Sequence, residues 1–380
     1  MNFGLDEKQI ELRARIREFA EKEVRPVASF NDEHEKFDVE LTKKMAEQGL
    51  FGMCVSEEYG GQGLSTLSYI IAVEELARVD GSTAATVAAD NSLGIGPIKD
   101  YGTKEQQDKY LPLLCQGRLW GFGLTEETAG SDSRGTKTMA KLVDNQWVIN
   151  GSKIFITNSA TPLTLGSTIQ VVSGEKNGRP EFTAFLMENG IPGFTQRPMN
   201  GKMMWRASNT GELKFDDVRL SDENILGKPG DGSHIMLATL DGGRLSIGAM
   251  ALGCAQGAYE IALGYSQKRE QFGKPVCKFQ AVSFMLAEMA TKIEAARELL
   301  YKACRMKDAH VPYGKEAAMA KLYCSEVAAF VCDKAVQVMG GHGLLKDFNM
   351  ERFYRDQRIL QIGEGTSEIL KLVISRYIGC

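Results

Sequence analysis

The chain has 380 residues, of which 43% are hydrophobic and 25% are charged, and its formal net charge is -4 at pH 7. This length accommodates about two or three domains with a large buried core, and the composition is typical of a soluble globular protein. Because the chain has neither a basic surplus nor a block rich in Lys and Arg, nucleic acid is not expected as a partner.

The first third of the sequence predicts helices only. From Leu5 onward, apolar residues recur at helical spacing until Pro26, which is expected to end the first helix. Further helical patterns cover residues 40–47, 67–77 and 104–114. We therefore predict an amino-terminal helical domain over residues 1–117.

Alternating apolar and polar residues indicate a change to β structure in residues 118–226. The predicted strands are residues 140–149, 154–157, 169–172, 182–187 and 211–220. Three pairs are typical of hairpin turns: Asp144-Asn145, Asn150-Gly151 and Asn177-Gly178. Together these signals predict an antiparallel middle domain.

Long helical patterns return in the last part of the chain, residues 227–380. They cover residues 236–268, 279–307, 314–339 and 367–377. This pattern predicts a carboxy-terminal four-helix bundle. The fold class is therefore α+β with several domains: a helical domain, a β domain and a helical bundle.

The sequence also bears on cellular location and on metal binding. The amino-terminal residues are rich in Glu and Arg, unlike a signal or transit peptide, and no apolar run approaches the roughly 20 residues of a membrane span. We expect a cytoplasmic protein without a membrane span.

The eight cysteines lie mostly in apolar stretches without a Cys-x-x-Cys pair, which favours reduced thiols, and no metal motif is present.

The segment QIGEGTSEIL, residues 361–370, places one carboxylate between two glycines. Thr366 and Ser367 follow Glu364 and can cap the apolar run behind them as a helix. A carboxylate on a glycine hinge can lie in a pocket with little crowding, which suits a general base. Read alone, the segment also fits a solvated acid at the start of a helix.

This segment resembles the catalytic segment of the acyl-CoA dehydrogenases, and further segments similar to that family follow one order along residues 5–378. They are FGLTEETAGSD (residues 122–132), FITN (155–158), DGGR (241–244), REQFGKP (269–275) and QVMGG (337–341). The resemblance implies the acyl-CoA dehydrogenase fold, FAD as cofactor and an acyl-CoA thioester as substrate. No Gly-x-Gly-x-x-Gly opens a helix after a strand and no P-loop is present, so a nicotinamide or NTP site is not supported.

The resemblance assigns a set of residues to the flavin cofactor. They are Phe122, Leu124, Thr125, Phe155, Thr157, Arg269, Gln271, Phe272, Phe279, Gln280, Gln337, Gly340, Gly341, Thr366 and Glu368. Phe155 would pack on the isoalloxazine, and Thr157 would hydrogen-bond near its N5 atom. In isolation, the pair also fits a core Phe with a surface Thr.

Two of these segments imply an oligomer. In the family, the segments that contain Arg269 and Gln337 contact the FAD of a neighbouring subunit, which implies a homo-oligomer, usually a tetramer. The planar guanidinium suits this role because it can pair with phosphate oxygens at two points. Without the resemblance, the Arg269 segment would be an ordinary helix end with a solvated charge.

The resemblance also implies the reaction and the substrate contacts. Glu364 would take the α proton while flavin N5 accepts the β hydride from the other face, which yields an enoyl-CoA. Backbone N–H of Glu364 would help to stabilise the enolate charge. Electrons would pass to an electron-transferring flavoprotein. The implied substrate residues are Ser131, Asp241, Arg244, Gly363 and Gly365.

The choice of base depends on one further position. Some members of the family place the base at the position of Gly243, which has no side chain here, so Glu364 is the expected base. A departure from the family pattern at Glu127, where Pro is usual, lies at a loop edge and changes little.

Two other departures bear on the substrate. Gly363 stands where a Tyr is frequent, which opens space for a branched or ring-shaped acyl group unless neighbouring side chains fill the gap. Asp90, or Ser92 beside it, can cap the helix that follows. Alternatively, Asp90 is a second or substitute base, as in dehydrogenases of cyclohexanecarboxyl-CoA or cyclohex-1-ene-1-carboxyl-CoA.

Ordinary α,β-dehydrogenation by Glu364 is the favoured interpretation. Glutaryl-CoA is disfavoured because Asp90 would repel its terminal carboxylate. A flavin or CoA binder without catalysis, or a flavoprotein oxidase, are the rival functions.

Overall fold

The computed structural model describes residues 4–380, so the first three residues of the predicted helical domain lie outside the described residues. Helices extend to Cys115, strands lie between Leu119 and Leu226, and helices resume at Gly232. The predicted fold class, with a helical, a β and a second helical part, is confirmed.

The amino-terminal part is helical throughout. Within the described residues its α-helices are α1 (Glu7–Phe19), α2 (Arg25–Glu33), α3 (Val39–Glu47), α4 (Thr66–Ala77), α5 (Gly81–Ala89), α6 (Gly96–Tyr101) and α7 (Lys104–Cys115). The expected stop at Pro26 is wrong. A π-helical turn, Ala20–Val24, joins α1 to α2, and Pro26 lies in the first turn of α2, where a missing N–H is tolerated.

A second π-helical turn, Asp90–Ile95, joins α5 to α6 without a break in the helical path. Such turns are frequently found at functional sites. The side chain of Asn91 is fixed here, because it accepts from the N–H of Met53 and donates to the carbonyl groups of Leu50 and Val87.

The middle part is one mixed sheet. Its strands are β1 (Leu119–Gly123), β2 (Met139–Val143), β3 (Gln146–Thr157), β4 (Thr164–Lys176), β5 (Arg179–Glu188), β6 (Phe194–Pro198), β7 (Thr210–Leu220) and β8 (Ile225–Leu226). They are ordered β6-β7-β3-β2-β4-β5-β8, and β1 pairs with β4. Most pairs are antiparallel as expected, but β4 is parallel to both β1 and β2, because neither of these strands is joined to β4 by a hairpin.

Two of the three predicted hairpin turns are confirmed. Asp144-Asn145 joins β2 to β3 and Asn177-Gly178 joins β4 to β5, with positive φ angles at all four residues. The turn expected at Asn150-Gly151 is wrong. This pair lies inside β3, where the register with β7 shifts in a β-bulge, so pairing with β7 overrides the local turn preference.

The carboxy-terminal part is built on one long helix. Its elements are α8 (Gly232–Lys268), the hairpin β9 (Glu270–Gln271) and β10 (Lys274–Pro275), α9 (Gln280–Asp308), α10 (Gly314–Met339), α11 (Met350–Asp356) and α12 (Ser367–Tyr377). Helix α8 packs against α4, α9 and α10. It therefore joins the two helical parts in one core.

The expectation that no apolar run reaches membrane length is wrong for α8. By length and composition, this helix could cross a membrane, because Gly, Ala and Ser alternate with Leu, Ile and Met and few charges interrupt them. However, 72% of its most apolar stretch is buried inside the protein. We interpret α8 as the core helix of the carboxy-terminal part.

The eight cysteines form no disulfide in the described part of the chain. Cys254 of α8 and Cys332 of α10 lie in contact, with their sulfur atoms 3.8 Å apart, and both are buried in the main core. They pack there as small apolar side chains.

Candidate active site

The backbone around Glu364 has an unusual conformation. Glu364 has a φ of 54° and Gly365 a φ of 105°, so two successive residues lie in the left-handed region. This region is uncommon for a residue with a side chain, and the surroundings must hold it. Thr366 holds this conformation from one side, because its hydroxyl caps α12 by accepting a hydrogen bond from the N–H of Ile369 at 3.3 Å. Lys321 of α10 does so from the other side, because its Nζ donates to the carbonyl of Gly365 at 2.7 Å.

The carboxylate of Glu364 is directed into the protein. The residue as a whole is partly exposed, but its Oε2 atom is buried and has no hydrogen-bond partner among the described residues. A Cβ atom added at Gly243 of α8 would lie only 1.8 Å from this oxygen and 3.1 Å from a methyl group of Leu93. The absence of a side chain at position 243 is therefore what makes room for the carboxylate.

The electrostatic surroundings make Glu364 a suitable base. Burial raises the pKa of Glu364 from 4.5 to about 7, while the positive charges of Lys321 and Arg244 act in the opposite direction. Arg244 is buried and forms an ion pair with Asp241, one turn before it on α8. A carboxylate with a pKa near the working pH can both take up and release a proton.

Strand β1 supplies an apolar wall next to this carboxylate. Phe122 and Leu124 are buried and form a cluster with Met236 of α8, against which Leu93 and Leu240 pack. Leu93 also borders the Glu364 carboxylate. The predicted flavin residues of β1 and the predicted base are thus brought to one site, where an apolar acyl group would be well accommodated.

A buried ion pair fixes the loop that follows β1. The Nζ of Lys153 donates to Oε1 of Glu126 at 2.8 Å and to the carbonyl of Leu124 at 3.1 Å. The same carboxylate accepts from the N–H groups of Lys137 and Thr138. Burial lowers the pKa of Lys153 to about 8, and Glu126 opposes that shift. This pair is not predictable from the sequence, since Glu126 lies in the loop after β1 and Lys153 lies 27 positions away in β3.

Phe155 differs from the neighbouring residues of β3 in exposure and in backbone conformation. Its side chain is 62% exposed, although Ile156 next to it is buried, and its φ of 61° coincides with a bulge between β3 and β7. Thr157 lies half-buried on the same side of the strand. The alternative of a core Phe is therefore wrong. An exposed ring on a strained backbone suits stacking against a planar group.

A second set of predicted cofactor residues lies at the other end of α8. An open cavity of about 450 Å³ is lined by Arg269, Gln271, Gln337, Gly340 and Gly341, among others. A Cβ atom at either glycine would meet nothing within 4 Å. A guanidinium beside uncrowded glycine backbone is a donor set that suits a pyrophosphate.

The hairpin beside this cavity exposes an aromatic ring. Phe272 is 93% exposed at the tip of β9 and β10, and it packs edge-on against Phe279, with ring centroids 6.0 Å apart. Gln280 begins α9 directly behind it. The ring is accessible to another surface.

The two sets lie far apart on one chain. Arg244 and Arg269 are separated by about 25 residues of continuous helix, or about 37 Å at the usual rise of 1.5 Å per residue. Arg244 and Arg269 therefore lie at opposite ends of α8.

Asp90 is fully buried but does not cap a helix. It lies within the π-helical turn after α5, and its Oδ1 accepts from the N–H of Trp120 in β1 at 3.0 Å. Ser92 donates to the carbonyl of Ala88, so the capping interpretation is wrong for both residues. The Oδ2 of Asp90 is buried without a partner in the described chain, and burial raises the pKa of Asp90 well above its usual value.

The remaining predicted residues lie at the edge of the site. Ser131 and Glu368 are exposed, so they can meet only a group at the surface or on a neighbouring chain. A Cβ atom at Gly363 would lie in ordinary contact with Ile359, 3.6 Å from its carbonyl oxygen and 3.8 Å from its side chain. Ile359 therefore borders the gap that the sequence predicts beside Glu364.

Sequence reasoning missed Lys321. Its signal was present, since this lysine is the single charge in the otherwise apolar stretch AAMAKLYC, residues 317–324. A charge within the buried face of a helix indicates a specific partner inside the protein.

Family models match almost the whole chain. The acyl-CoA dehydrogenase N-terminal domain matches residues 6–118, the middle domain residues 121–218 and the C-terminal domain residues 230–379. Among curated relatives, a short-chain specific acyl-CoA dehydrogenase of Clostridium acetobutylicum is 46% identical over 376 residues, which are 99% of each chain.

Several solved structures are also similar to this chain over its whole length. The butyryl-CoA dehydrogenase of Megasphaera elsdenii superposes with a TM-score of 0.96 at 41% identity, and each chain is covered completely. A chain in a structure described as the electron transferring flavoprotein of Acidaminococcus fermentans also gives 0.96, at 44% identity and complete coverage. An acyl-CoA dehydrogenase complexed with FAD from Bacillus anthracis gives 0.93 at 33% identity, covering 100% of this chain and 68% of the other.

The raised pKa of Glu364 predicts a pH-dependent effect on stability. A carboxyl whose pKa is about 7 when folded and 4.5 when unfolded loses folding free energy as the pH rises between these values. Because glutamine stays neutral, Glu364→Gln should raise the thermal unfolding midpoint at pH 8 by several degrees and change it little at pH 4.5.

The measurement is the unfolding midpoint of both proteins by fluorescence. Glu288→Gln, at an exposed position of α9, serves as control and should show no such pH-dependent difference. Equal effects of Glu364→Gln at pH 4.5 and pH 8 would contradict the buried ionisation.

Proposed function

The chain belongs to the acyl-CoA dehydrogenase family, and we propose that Glu364 is the base that removes the α proton of its short acyl-CoA substrate. The enzyme is a flavin-dependent oxidoreductase of the short-chain acyl-CoA dehydrogenase type, with FAD as cofactor. The observation that carries the proposal is the buried Oε2 atom of Glu364, which has no partner among the described residues.

The chemistry requires a base of this kind. An α proton next to a thioester is far too weakly acidic for an ordinary carboxylate, so the base must be more basic and the negative charge that forms must be stabilised. Burial supplies the higher basicity of Glu364. The free Oε2 atom then accepts the proton without first breaking a hydrogen bond.

The residues of this chain fit FAD. The exposed ring of Phe155 and the hydroxyl of Thr157 would hold the ring system, and the loop after β1, with Leu124 and Thr125, would contact its edge. When bound, FAD supplies a hydride acceptor for the β hydrogen of the acyl group. Glu364 holds the α proton, and the loss of both hydrogens leaves an enoyl-CoA.

The second cofactor set supports a homo-oligomer. Arg269, Gln337 and the open glycines Gly340 and Gly341 line a cavity at the opposite end of α8 from Arg244, about 37 Å along the helix. We propose that they contact the FAD of a neighbouring chain in a tetramer. The exposed ring of Phe272 next to this set supports such a contact.

The glycine at position 363 supports a wider substrate range than straight chains. Because the residue before Glu364 has no side chain, and a Cβ atom there would make only ordinary contacts with Ile359, a branched or alicyclic acyl group would have more room next to the α carbon. Asp90 as a second base for a cyclohexane-type thioester stays the alternative. A glutaryl-CoA substrate or a binder without catalysis is supported less well.

The proposed electron acceptor is an electron-transferring flavoprotein. It is supported by the similarity to the chain from Acidaminococcus fermentans, whose structure is described by that name. A cytoplasmic location stays a prediction.

Glu364→Gln should keep bound FAD but lower kcat for butyryl-CoA by about 10²- to 10⁴-fold, because the general base is lost. Flavin absorbance and dye reduction under anaerobic conditions measure both quantities. Glu288→Gln, at an exposed position of α9 outside every predicted site, is the control and should stay active. Full activity of Glu364→Gln would reject the assignment, and stoichiometric peroxide under air would favour an oxidase.

Gly363→Tyr should lower kcat/KM for isobutyryl-CoA and cyclohexanecarboxyl-CoA at least about 10-fold relative to butyryl-CoA, because the ring would occupy the gap beside the base. Gly363→Ala should leave the ratio near that of the wild type, since its Cβ atom fits without a clash. If the wild type used neither branched nor cyclic thioesters, the proposed substrate range would be wrong.

Asp90→Asn separates the two roles of Asp90. The amide oxygen can still accept from Trp120, so we expect small and equal losses of kcat, below about threefold, on linear and cyclic thioesters. A loss confined to the cyclic thioesters would instead assign Asp90 as a second base.

A further inference from the structure

Lys321 is the buried cation that the reaction described above does not use. It lies on α10 with no exposed surface, among the buried residues Ala317, Ala320 and Cys324. Lysine is almost never fully buried unless it has a partner. Its Nζ donates to the carbonyl of Gly365, the residue directly after Glu364, at 2.7 Å.

This hydrogen bond acts on the segment that carries the base. Glu364 and Gly365 both have positive φ angles, a conformation that the isolated chain would rarely adopt. Thr366 anchors the following residues to α12. Lys321 anchors the carbonyl of Gly365 to α10, so the turn is held from two helices.

The charge of Lys321 also acts on the carboxylate. The charged groups that face Glu364 are Lys321 from α10 and Arg244 from α8, while the phenol of Tyr69 approaches from α4. Arg244 is already paired with Asp241. Within residues 4–380, Lys321 forms no ion pair closer than 4.0 Å, and its other charged neighbours are Arg244 and the exposed Glu368.

We propose that Lys321 is a positioning residue for Glu364: its Nζ holds the Gly365 carbonyl, and thereby the left-handed turn, and places a positive charge beside the segment that carries the base. This inference rests on the proposed role of Glu364 as the base. It adds a group on a different helix that sets the geometry and the ionisation of that base.

The ionisations of Glu364 and Lys321 both depend on pH. The pKa of Glu364 is about 7, so the carboxylate forms as the pH rises through that value. Burial lowers the pKa of Lys321 to about 8, so its charge is lost as the pH rises further. A rising pH therefore forms the Glu364 carboxylate and, further on, removes the charge of Lys321.

Removal of the lysine charge tests the proposal. In Lys321→Met the attraction that favours the ionised carboxylate is lost, so the titration midpoint of Glu364 should rise by about one pH unit. Infrared pH-difference spectra follow the carboxyl band of Glu364, which is assigned by its absence in Glu364→Gln. The acidic limb of the rate of flavin reduction by butyryl-CoA should move by the same amount, with about 10-fold loss at pH 6.5 and recovery near pH 9.

Two further variants distinguish the loss of the Lys321 charge from poor folding and from the loss of a charge elsewhere on α10. Lys321→Gln retains a donor for the Gly365 carbonyl but lacks the charge, so it should show the same upward shift even if Lys321→Met folds poorly. Lys334→Met, on the same helix but paired only with Asp333 at the surface, should leave the midpoint unchanged. A midpoint that stays in place or falls in both Lys321 variants would overturn the proposal, whether or not activity is lost.

The infrared titration needs no turnover, so two failures can be told apart. If Glu364→Gln were fully active while the midpoint still moved in the Lys321 variants, the role of Glu364 as base would be wrong and the coupling to Lys321 right. If Glu364→Gln were inactive and the midpoint did not move, the Lys321 proposal alone would fail.

Discussion

A buried carboxylate oxygen without a hydrogen-bond partner is costly, and the structure around Glu364 is arranged to maintain one. Gly243 leaves the space that the carboxylate occupies, and a left-handed turn directs it there. Lys321 and Thr366 hold that turn from two helices. This arrangement lowers the stability of the protein. It also leaves the Oε2 atom of Glu364 basic and without a hydrogen bond to break among the described residues, as the proposed proton transfer requires.

The length of α8 determines how the site is completed. One end of the helix carries Asp241 and Arg244 near the base, and the other leads to Arg269 and the open cavity. Because the helix is continuous over 37 residues, these ends stay apart. The element that carries Arg244 and Gly243 next to Glu364 thus leads to the second predicted cofactor set at its other end, and in the proposed assembly a neighbouring chain completes each site.

The features that were predictable from the sequence depend on local signals. The ends of α10 and α12 follow from helical periodicity with clear boundaries, and the hairpins at Asp144-Asn145 and Asn177-Gly178 follow from turn chemistry. Other features depend on partners distant in sequence. Asn150-Gly151 becomes a bulge because β7 pairs with it, and Asp90 contacts a strand 30 positions away. The burial of Lys321 is indicated by the apolar residues around it, but its partner, the carbonyl of Gly365, lies 44 positions away and follows only from the fold.

The central claim is that Glu364 removes a proton from the α carbon. Acetyl-CoA tests it most directly, because it has α hydrogens but no β carbon from which a hydride could leave. With the FAD-bound enzyme in D₂O, nuclear magnetic resonance should show deuterium entering the acetyl methyl group, faster as the pH rises through about 7. The Glu364→Gln enzyme should show no exchange above the uncatalysed rate. Equal exchange by both enzymes would contradict the account.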